Sequence, residues 1–333
     1  MSNQELGLVG IGNAIVDVLT HADEDFLLRH ALTKGAMTLI DDQRADEVYA
    51  AMGPGIEVSG GSAANTMVGF AALRGEGAFI GKVREDQLGE VFAHDLRAAG
   101  VRFTTPLAVD GPATARCLIV VTPDAQRTMN TYLGACVGLG PEDVDVDAVA
   151  AAKVTYLEGY LWDPPGAKAA FRRAISVAHA AGREIALTLS DPFCVDRYRE
   201  EFLKLAETEV DILFANEAEI MSLYELPSFD DALQRVRSRR GVTVLTRSAA
   251  GSVVVTADSL HVIDAEPVAK VVDTTGAGDL YAAGFLYGYT RGFGPYEAGR
   301  LGSIAAAEVV GHFGARPEAS LAKLAARGLG RAI

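Results

Sequence analysis

Asp279 ends a Gly276-Ala277-Gly278-Asp279 turn that follows Asp273-Thr274-Thr275 and feeds a run of Leu, Tyr, Ala and Phe at helical spacing. A glycine turn opening a helix aims several unpaired backbone N–H groups at one point, with the positive end of the helix dipole behind them. Such a point suits a phosphate or a developing negative charge. A carboxylate beside it would repel a resting phosphate, so its presence there invites a chemical reason. The economical one is that it takes the proton from a hydroxyl as that hydroxyl attacks phosphorus. An acidic residue in the first turn of a helix is also favourable by itself, and this segment alone leaves both readings open.

Other polar residues fall where a site could use them. Asn13 and Asp17 leave the end of an apolar run, Leu6 to Ile11, where ligands of open α/β sheets bind; turn and cap chemistry would account for them equally. Gly60 and Gly61 precede a helix of small residues with Asn65 in its first turn, which permits close backbone approach to a ligand. Asn216 and Glu219 begin a helix directly after a buried run. An amide and a carboxylate so spaced can orient Mg²⁺-bound water and phosphate oxygens, or simply cap the helix. Thr246 to Gly251 follows another strand and could border a nucleotide. Arg127 lies on the far strand of a β meander and could reach over a closed site, or remain a solvated hairpin arginine. Other chemistries fail on spacing. Ile15 stands where a dinucleotide fingerprint needs glycine, and Glu76 and Val83 break a P-loop around Gly81-Lys82. The six histidines are dispersed, which makes a catalytic zinc improbable.

The elements that must position these residues alternate. Strands at 153–157, 184–189, 210–214 and 242–246 are separated by helices at 166–181, 195–206, 217–224 and 230–239, with a hairpin over 252–262. The pattern predicts a mostly parallel sheet with helices on both faces. Val268–Val272 reads as a short strand leading into the glycine turn. Residues 101–132, with TTPLAV, ATARCLIVVT and RTMNTYL split by Asp110-Gly111-Pro112 and Pro123-Asp124, read as an inserted meander. With residues 19–42 it is expected to form a small β lid on a single domain spanning 1–333.

Bulk properties narrow the partners. The 333 residues carry a net charge of −14, which argues against a nucleic-acid or anionic-membrane partner. An anionic substrate must then be held by local basic groups and amides. Cys117, Cys136 and Cys194 lack metal-type spacing and are expected as reduced thiols. The first residues carry no basic region ahead of an apolar core, and no apolar run is long enough to span a bilayer. A cytoplasmic location is expected, as monomer or homodimer.

Two long motifs together carry a family resemblance. Gly60-Gly61-Ser62-Ala63-Ala64-Asn65, with Gly81 downstream, resembles the N-terminal signature of the ribokinase-like family of carbohydrate and nucleoside kinases, the phosphofructokinase-B type. Asp273-Thr274-Thr275-Gly276-Ala277-Gly278-Asp279-Leu280-Tyr281-Ala282-Ala283-Gly284 resembles its C-terminal signature, about 200 residues later. The resemblance covers essentially the whole chain. It implies a three-layer α/β/α domain with a β lid, ATP as donor and Mg²⁺ as cofactor. It also implies Asp279 as the base, with the amides of Ala277, Gly278 and Asp279 as an anion hole in the turn that Gly276 opens. Asn216 and Glu219 resemble the family's element for Mg²⁺-bound water and phosphate. Thr246 and Gly251 would border the nucleotide with Gly278, and Gly60, Gly61 and Asn65 would hold substrate hydroxyls. Asp273 and Thr274 resemble positions that bind a monovalent cation in some members, so K⁺ is a further expectation.

The spacing of Asn13 and Asp17 is similar to the adenosine kinase branch, where that aspartate holds ribose hydroxyls. Leu187 to Phe193 and Asp211 to Glu217 read similarly, and Arg127 aligns loosely with a lid arginine there. Tyr160, Leu161 and Trp162 follow a strand where that branch places base-stacking aromatics, and Trp162 is the candidate carried forward. Ser248 departs from the family's usual glycine. The expectation is phosphorylation of a nucleoside 5′-hydroxyl, adenosine first. A kinase of free pentose or hexose, or a silent binding regulator on the same fold, are the alternatives.

Overall fold

The apolar runs that alternate along the chain become strands buried on both faces. The computed structural model describes residues 6–124 and 126–333. The start of the segment read for a leader, residues 1–5, lies outside them. Strand β1 (Leu6–Ile11) leads to β2 (Ile15–His21), α1 (Glu24–Arg29), β3 (Met37–Leu39), α2 (Asp42–Ala51), β4 (Ile56–Gly60) and α3 (Ser62–Ala72). Next come β5 (Gly77–Ile80), α4 (Gln87–Ala98), β6 (Arg102–Phe103), β7 (Ala115–Val121), β8 (Arg127–Tyr132), α5 (Val146–Ala151), β9 (Ala152–Glu158) and α6 (Pro165–Ala180). The chain continues through β10 (Glu184–Thr188), α7 (Pro192–Thr208), β11 (Ile212–Asn216), α8 (Glu217–Tyr224), α9 (Phe229–Val236) and β12 (Val242–Thr246). It ends with β13 (Ser252–Val255), β14 (Leu260–Ile263), α10 (Ala277–Thr290), α11 (Pro295–Val309) and α12 (Leu321–Leu329).

Nine strands form the main sheet in the order β14-β13-β12-β11-β10-β9-β1-β5-β6. It is parallel except at β13 and β14. Alternate residues of each strand enter different cores, as period-two geometry requires. Leu8, Val154, Tyr156 and Phe214 pack with α3, α10 and α11 on one side. Val9, Ile11, Leu157 and Leu213 pack with α5, α6 and α7 on the other. This is the three-layer arrangement that strand–helix alternation predicts. Among the described residues, no helix is long and apolar enough to cross a membrane.

A second sheet has the order β3-β8-β7-β2-β4. Its Val16, Val18, Leu118 and Val120 join the first core. The other face carries Ile15, Leu19, Cys117, Ile119 and Met129 in a small separate cluster. The sheet differs from expectation at its margins. Strand β2 belongs to it but starts before residue 19, β4 belongs to it but lies after residue 42, and β6 joins the main sheet. TTPLAV forms no strand beyond an isolated bridge at Ala108. Val268–Val272 is irregular as well. Its β-branched composition suggests a strand, but Ala269, Lys270 and Val271 are exposed and the Val272 N–H bonds the Val310 carbonyl rather than a sheet.

Candidate active site

The chain builds β1, β5 and β6 in one direction across the main sheet and β9 to β12 in the other, so the strand order reverses between β1 and β9. In open α/β sheets the ligand crevice lies at the carboxyl ends of strands at such a reversal. Asn13 follows β1, and Glu158 ends β9.

Asp279 enters this crevice from the first turn of α10. Gly276 is the N-cap residue of that helix, with φ +78°. A Cβ there would lie 2.6 Å from Ala315 Cβ, so the turn requires glycine on both conformational and steric grounds. Ser62 Oγ donates to Asp279 Oδ1 at 2.6 Å, and Asn65 Nδ2 donates to Oδ2 at 3.0 Å. Burial pushes the Asp279 carboxyl above its ordinary range, opposed by Ser62, Asn65 and the Arg316 cation. A raised carboxylate is a better proton acceptor near neutral pH. Of the three amides expected to form an anion hole, Ala277 N–H is taken by the Thr274 carbonyl at 3.2 Å. The Gly278 and Asp279 N–H groups take no hydrogen bond among the described residues. Two amides, not three, are therefore left without a partner among the described residues at the positive end of α10.

Asp17 lies on β2, paired through its backbone, and its carboxylate takes no hydrogen bond among the described residues. Burial pushes its pKa up to about 6, against the pull of Arg127 and Arg316, and Asp279 adds a like charge. A Cβ on Gly60 would lie 2.5 Å from Asp17 Oδ2, and one on Gly61 would lie 2.2 Å from the Asn13 carbonyl. Both glycines thus make room for their neighbours. Asn13 is 5% exposed, donates to Glu158 Oε1 and accepts from Cys136 Sγ. Its amide is held inside the wall rather than presented to a ligand, which corrects the expectation of direct contact.

Three further expectations change. Trp162 is fully buried between Phe171 and Phe202, with its indole N–H on Glu201. It cannot stack on a base, because the 3₁₀ turn after β9 points it into the core under α6 and α7. Of the aromatics in that turn, Tyr160 is the exposed one, and Asp191, Glu158, Glu219 and Asp279 are its charged neighbours. Arg127 does not lie free over the crevice. It pairs with Asp273 and donates to Thr275 Oγ1 at 2.9 Å. The Asp273 carboxylate also accepts from Gly314 N–H, Thr275 N–H and Thr275 Oγ1. With a guanidinium and three other donors on it, the Asp273 carboxylate does not fit a monovalent cation.

On the other side of the crevice, Asn216 caps α8. Its side chain accepts from Glu219 N–H at 2.9 Å, while its own N–H and Nδ2 donate to the Glu219 carboxylate at 3.0 and 2.6 Å. Burial pushes Glu219 up to about 7, opposed by the Asn216 N–H. Among the described residues no three His, Cys, Asp or Glu side chains could hold a metal together. The site fits an ion carried on phosphates that keeps its waters, the usual habit of Mg²⁺. Thr246 ends β12, and Gly251, at φ +81°, turns into β13 with no room for a Cβ against the Ile263 carbonyl. Ser248 takes φ +49°, so the backbone keeps the left-handed form that suits the family's glycine.

Glu158, and the closeness of Arg316 to the charges of Asp17 and Asp279, escape a sequence reading of the site. A charged residue ending the buried run of β9 is the only hint of Glu158. Arg316 donates to the carbonyls of Ser59 and Ala64 and to Ser59 Oγ. Burial lowers it to about 10, while Asp17, Asp279 and Asp95 oppose that fall. Its cation is thus felt by both carboxylates of the crevice.

An acid-bearing glycine turn at the switch point of a ribokinase-like three-layer fold defines a phosphotransferase that acts on hydroxyl groups. The sequence profile of the pfkB family carbohydrate kinases matches residues 37–321, and the chain belongs to that family. It is similar to the crystal structure of adenosine kinase from Sinorhizobium meliloti, with 53% identity and a TM-score of 0.89 over 97% of this chain and 99% of that one. A Rhizobium etli CFN 42 structure described as a probable sugar kinase protein gives 50% identity and a TM-score of 0.90, over 98% and 99% of the two chains. Adenosine kinase of Saccharomyces cerevisiae is 26% identical over 308 residues, which span 86% of this chain and 89% of the relative. Membership of a kinase family implies the use of ATP.

Proposed function

We propose that the protein transfers the γ-phosphoryl group of ATP to the 5′-hydroxyl of a nucleoside, adenosine first. Asp279 takes the proton from that hydroxyl. The freed oxygen attacks the γ-phosphorus, the bond from γ-phosphorus to the bridging oxygen breaks, and ADP leaves. The Gly278 and Asp279 amides stabilise charge on the transferring group. Mg²⁺, bound with ATP, supplies further neutralisation of phosphate charge. Asn216 and Glu219 would orient its waters, and Thr246 and Gly251 would border the nucleotide. The Asp17 carboxylate, with no hydrogen bond of its own among the described residues, accepts from the ribose hydroxyls, with Gly60, Gly61 and Asn65 beside it. The second sheet acts as a lid that excludes water from the reaction.

One observation favours a nucleoside over a free sugar. Asp17, Cys117, Thr131 and Leu39 are paired in one row across the second sheet. Beyond Asp17 along that row lies a recess of about 270 Å³ lined by Leu39, Ile40, Thr131, Leu133 and Val137. A carboxylate for hydroxyls followed by an apolar recess suits a sugar that carries a base. The likeness to the Rhizobium etli sugar kinase supports the competing reading.

The test is ATP- and Mg²⁺-dependent phosphorylation of adenosine, inosine, guanosine, ribose, fructose and a 2-keto sugar acid. Adenosine is expected to lead. A leading free sugar would overturn the acceptor assignment but keep the kinase, and silence across the panel with ATP still bound would favour a regulator. Asp279→Asn should fold and bind ATP yet lose phosphoryl transfer by roughly a hundredfold or more.

A further inference from the structure

Helix α3 starts without a cap of its own. Its N-cap residue is Gly61, at φ +95°, which has no side chain to offer. Nor could it carry one, since a Cβ would fall 2.2 Å from the Asn13 carbonyl. The unpaired N–H of Ala63 is instead taken by Glu158 Oε2 at 2.8 Å, from the end of β9. The other oxygen, Oε1, accepts from Asn13 Nδ2 at 2.7 Å. Glu158 is 1% exposed. Gly12 is what admits it, because a Cβ there would lie 2.3 Å from Oε2.

This first turn of α3 is the one that holds Asp279. Ser62 and Asn65, on either side of Ala63, donate one hydrogen bond to each Asp279 oxygen. An unbroken path of contacts therefore runs from Glu158 through the helix start to the carboxylate at the reacting centre. Burial pushes Glu158 up to about 7, opposed by the Ala63 and Asn13 hydrogen bonds, so its charge is an expensive way to cap a helix. Its neighbours include the Asp279 carboxylate, the Cys136 thiol and the Tyr156 and Tyr160 phenols, and among the described residues no cation pairs with it. A carboxylate is nonetheless the one group of this size that accepts from both Ala63 and Asn13 without presenting a donor. A glutamine would set its NH₂ against one of those donors and lose a contact.

We propose that Glu158 is a positioning residue, fixing the start of α3 and, through Ser62 and Asn65, the attitude of Asp279 toward the acceptor hydroxyl. This rests on Asp279 being the base. Glu158→Gln should lower kcat by about a hundredfold, the scale of a displacement near 1 Å at a reacting group, with KM for ATP unchanged. The decisive measurement is a mutant cycle. In a chain that already carries Ser62→Ala and Asn65→Ala, the same Glu158→Gln change should cost less than about a third of its effect in the native chain. Thermal melting of every variant separates misplacement from unfolding. If Glu158→Gln does not fold, Glu158→Asp, which keeps the charge but retracts it from Ala63, takes its place in the cycle. Additive effects in the cycle, or a loss of kcat that merely follows loss of folded protein, would overturn the proposal. Near-native turnover of Asp279→Asn would instead remove the reading on which it stands. Assays use ATP, Mg²⁺ and the acceptor that leads in the panel.

Discussion

Arg127, on β8 of the second sheet, forms a buried ion pair with Asp273, just ahead of the glycine turn of α10. Burial alone would raise Asp273, but Gly314, Thr275 and Arg127 outweigh it and hold the carboxyl below its ordinary range. A carboxylate so satisfied has nothing left for a potassium ion. Turnover is therefore expected to be equal in K⁺ and Na⁺ at fixed ionic strength. Several-fold activation by K⁺ would mean that the guanidinium leaves Asp273 in the working enzyme. Removing one partner of a buried pair strands the other charge, so Arg127→Met should cost about 3 kcal/mol in chemical denaturation.

Asp17 sets stability against function. Its folded pKa, about 6, is raised above the ordinary aspartate value. A raised group contributes stability that is fully present below its unfolded pKa and lost as pH rises through the folded one. Between about pH 4 and 6 the ligand-free protein should therefore lose stability from this residue, up to ~3 kcal/mol at 1.36 kcal/mol per unit. Asp17→Asn is expected to raise the melting temperature at pH 8 and to flatten its fall from pH 5 to 8. The same variant should lose acceptor binding, seen as a large rise in KM with ATP binding intact. A lowered melting temperature at pH 8 would show that Arg127 and Arg316 more than offset the burial.

The alternation of strands and helices, and both glycine motifs, were legible because they are local: they depend on side-chain period and turn chemistry within a dozen residues. Asp279 could be placed beside an anion site on that basis. What surrounds it could not. Glu158 reaches Ala63 across 95 residues and Arg127 reaches Asp273 across 146, and no periodicity encodes such closures. The burial of Trp162 is not legible either, because a strand end does not say which way the following 3₁₀ turn faces. Val268–Val272 stays irregular because β-branched residues favour a strand only where a sheet edge is within reach.

Tyr160 and Trp162, two residues apart, should separate cleanly. Trp162 fills the core between α6 and α7, so Trp162→Ala is expected to cost roughly 3–5 kcal/mol of stability. Its folded fraction should keep the native KM for the acceptor. Tyr160 is 44% exposed and lies among the carboxylates of the crevice. Tyr160→Ala should leave the melting temperature nearly unchanged while raising KM for a nucleoside more than for ribose. An equal effect on both acceptors would take Tyr160 away from the base.

Gly276 and Gly278 look alike in sequence but should fail differently when given a methyl group. At Gly276 the backbone is left-handed and Ala315 blocks the space, with its Cβ 2.6 Å and its Cα 2.8 Å from the new atom. Gly276→Ala must shift the turn itself, with strain on the order of 1–3 kcal/mol and loss of both stability and activity. At Gly278 a Cβ meets nothing within 4 Å, so Gly278→Ala should melt like the native protein. Its methyl group nonetheless stands beside the free amides of Gly278 and Asp279, where the transferring phosphoryl group is proposed to sit. Turnover should therefore fall, by about tenfold or more if one amide contact is lost, with acceptor binding preserved. Native turnover of Gly278→Ala would place the anion site elsewhere along the turn, and a lowered melting temperature would show that the open space is used by the fold.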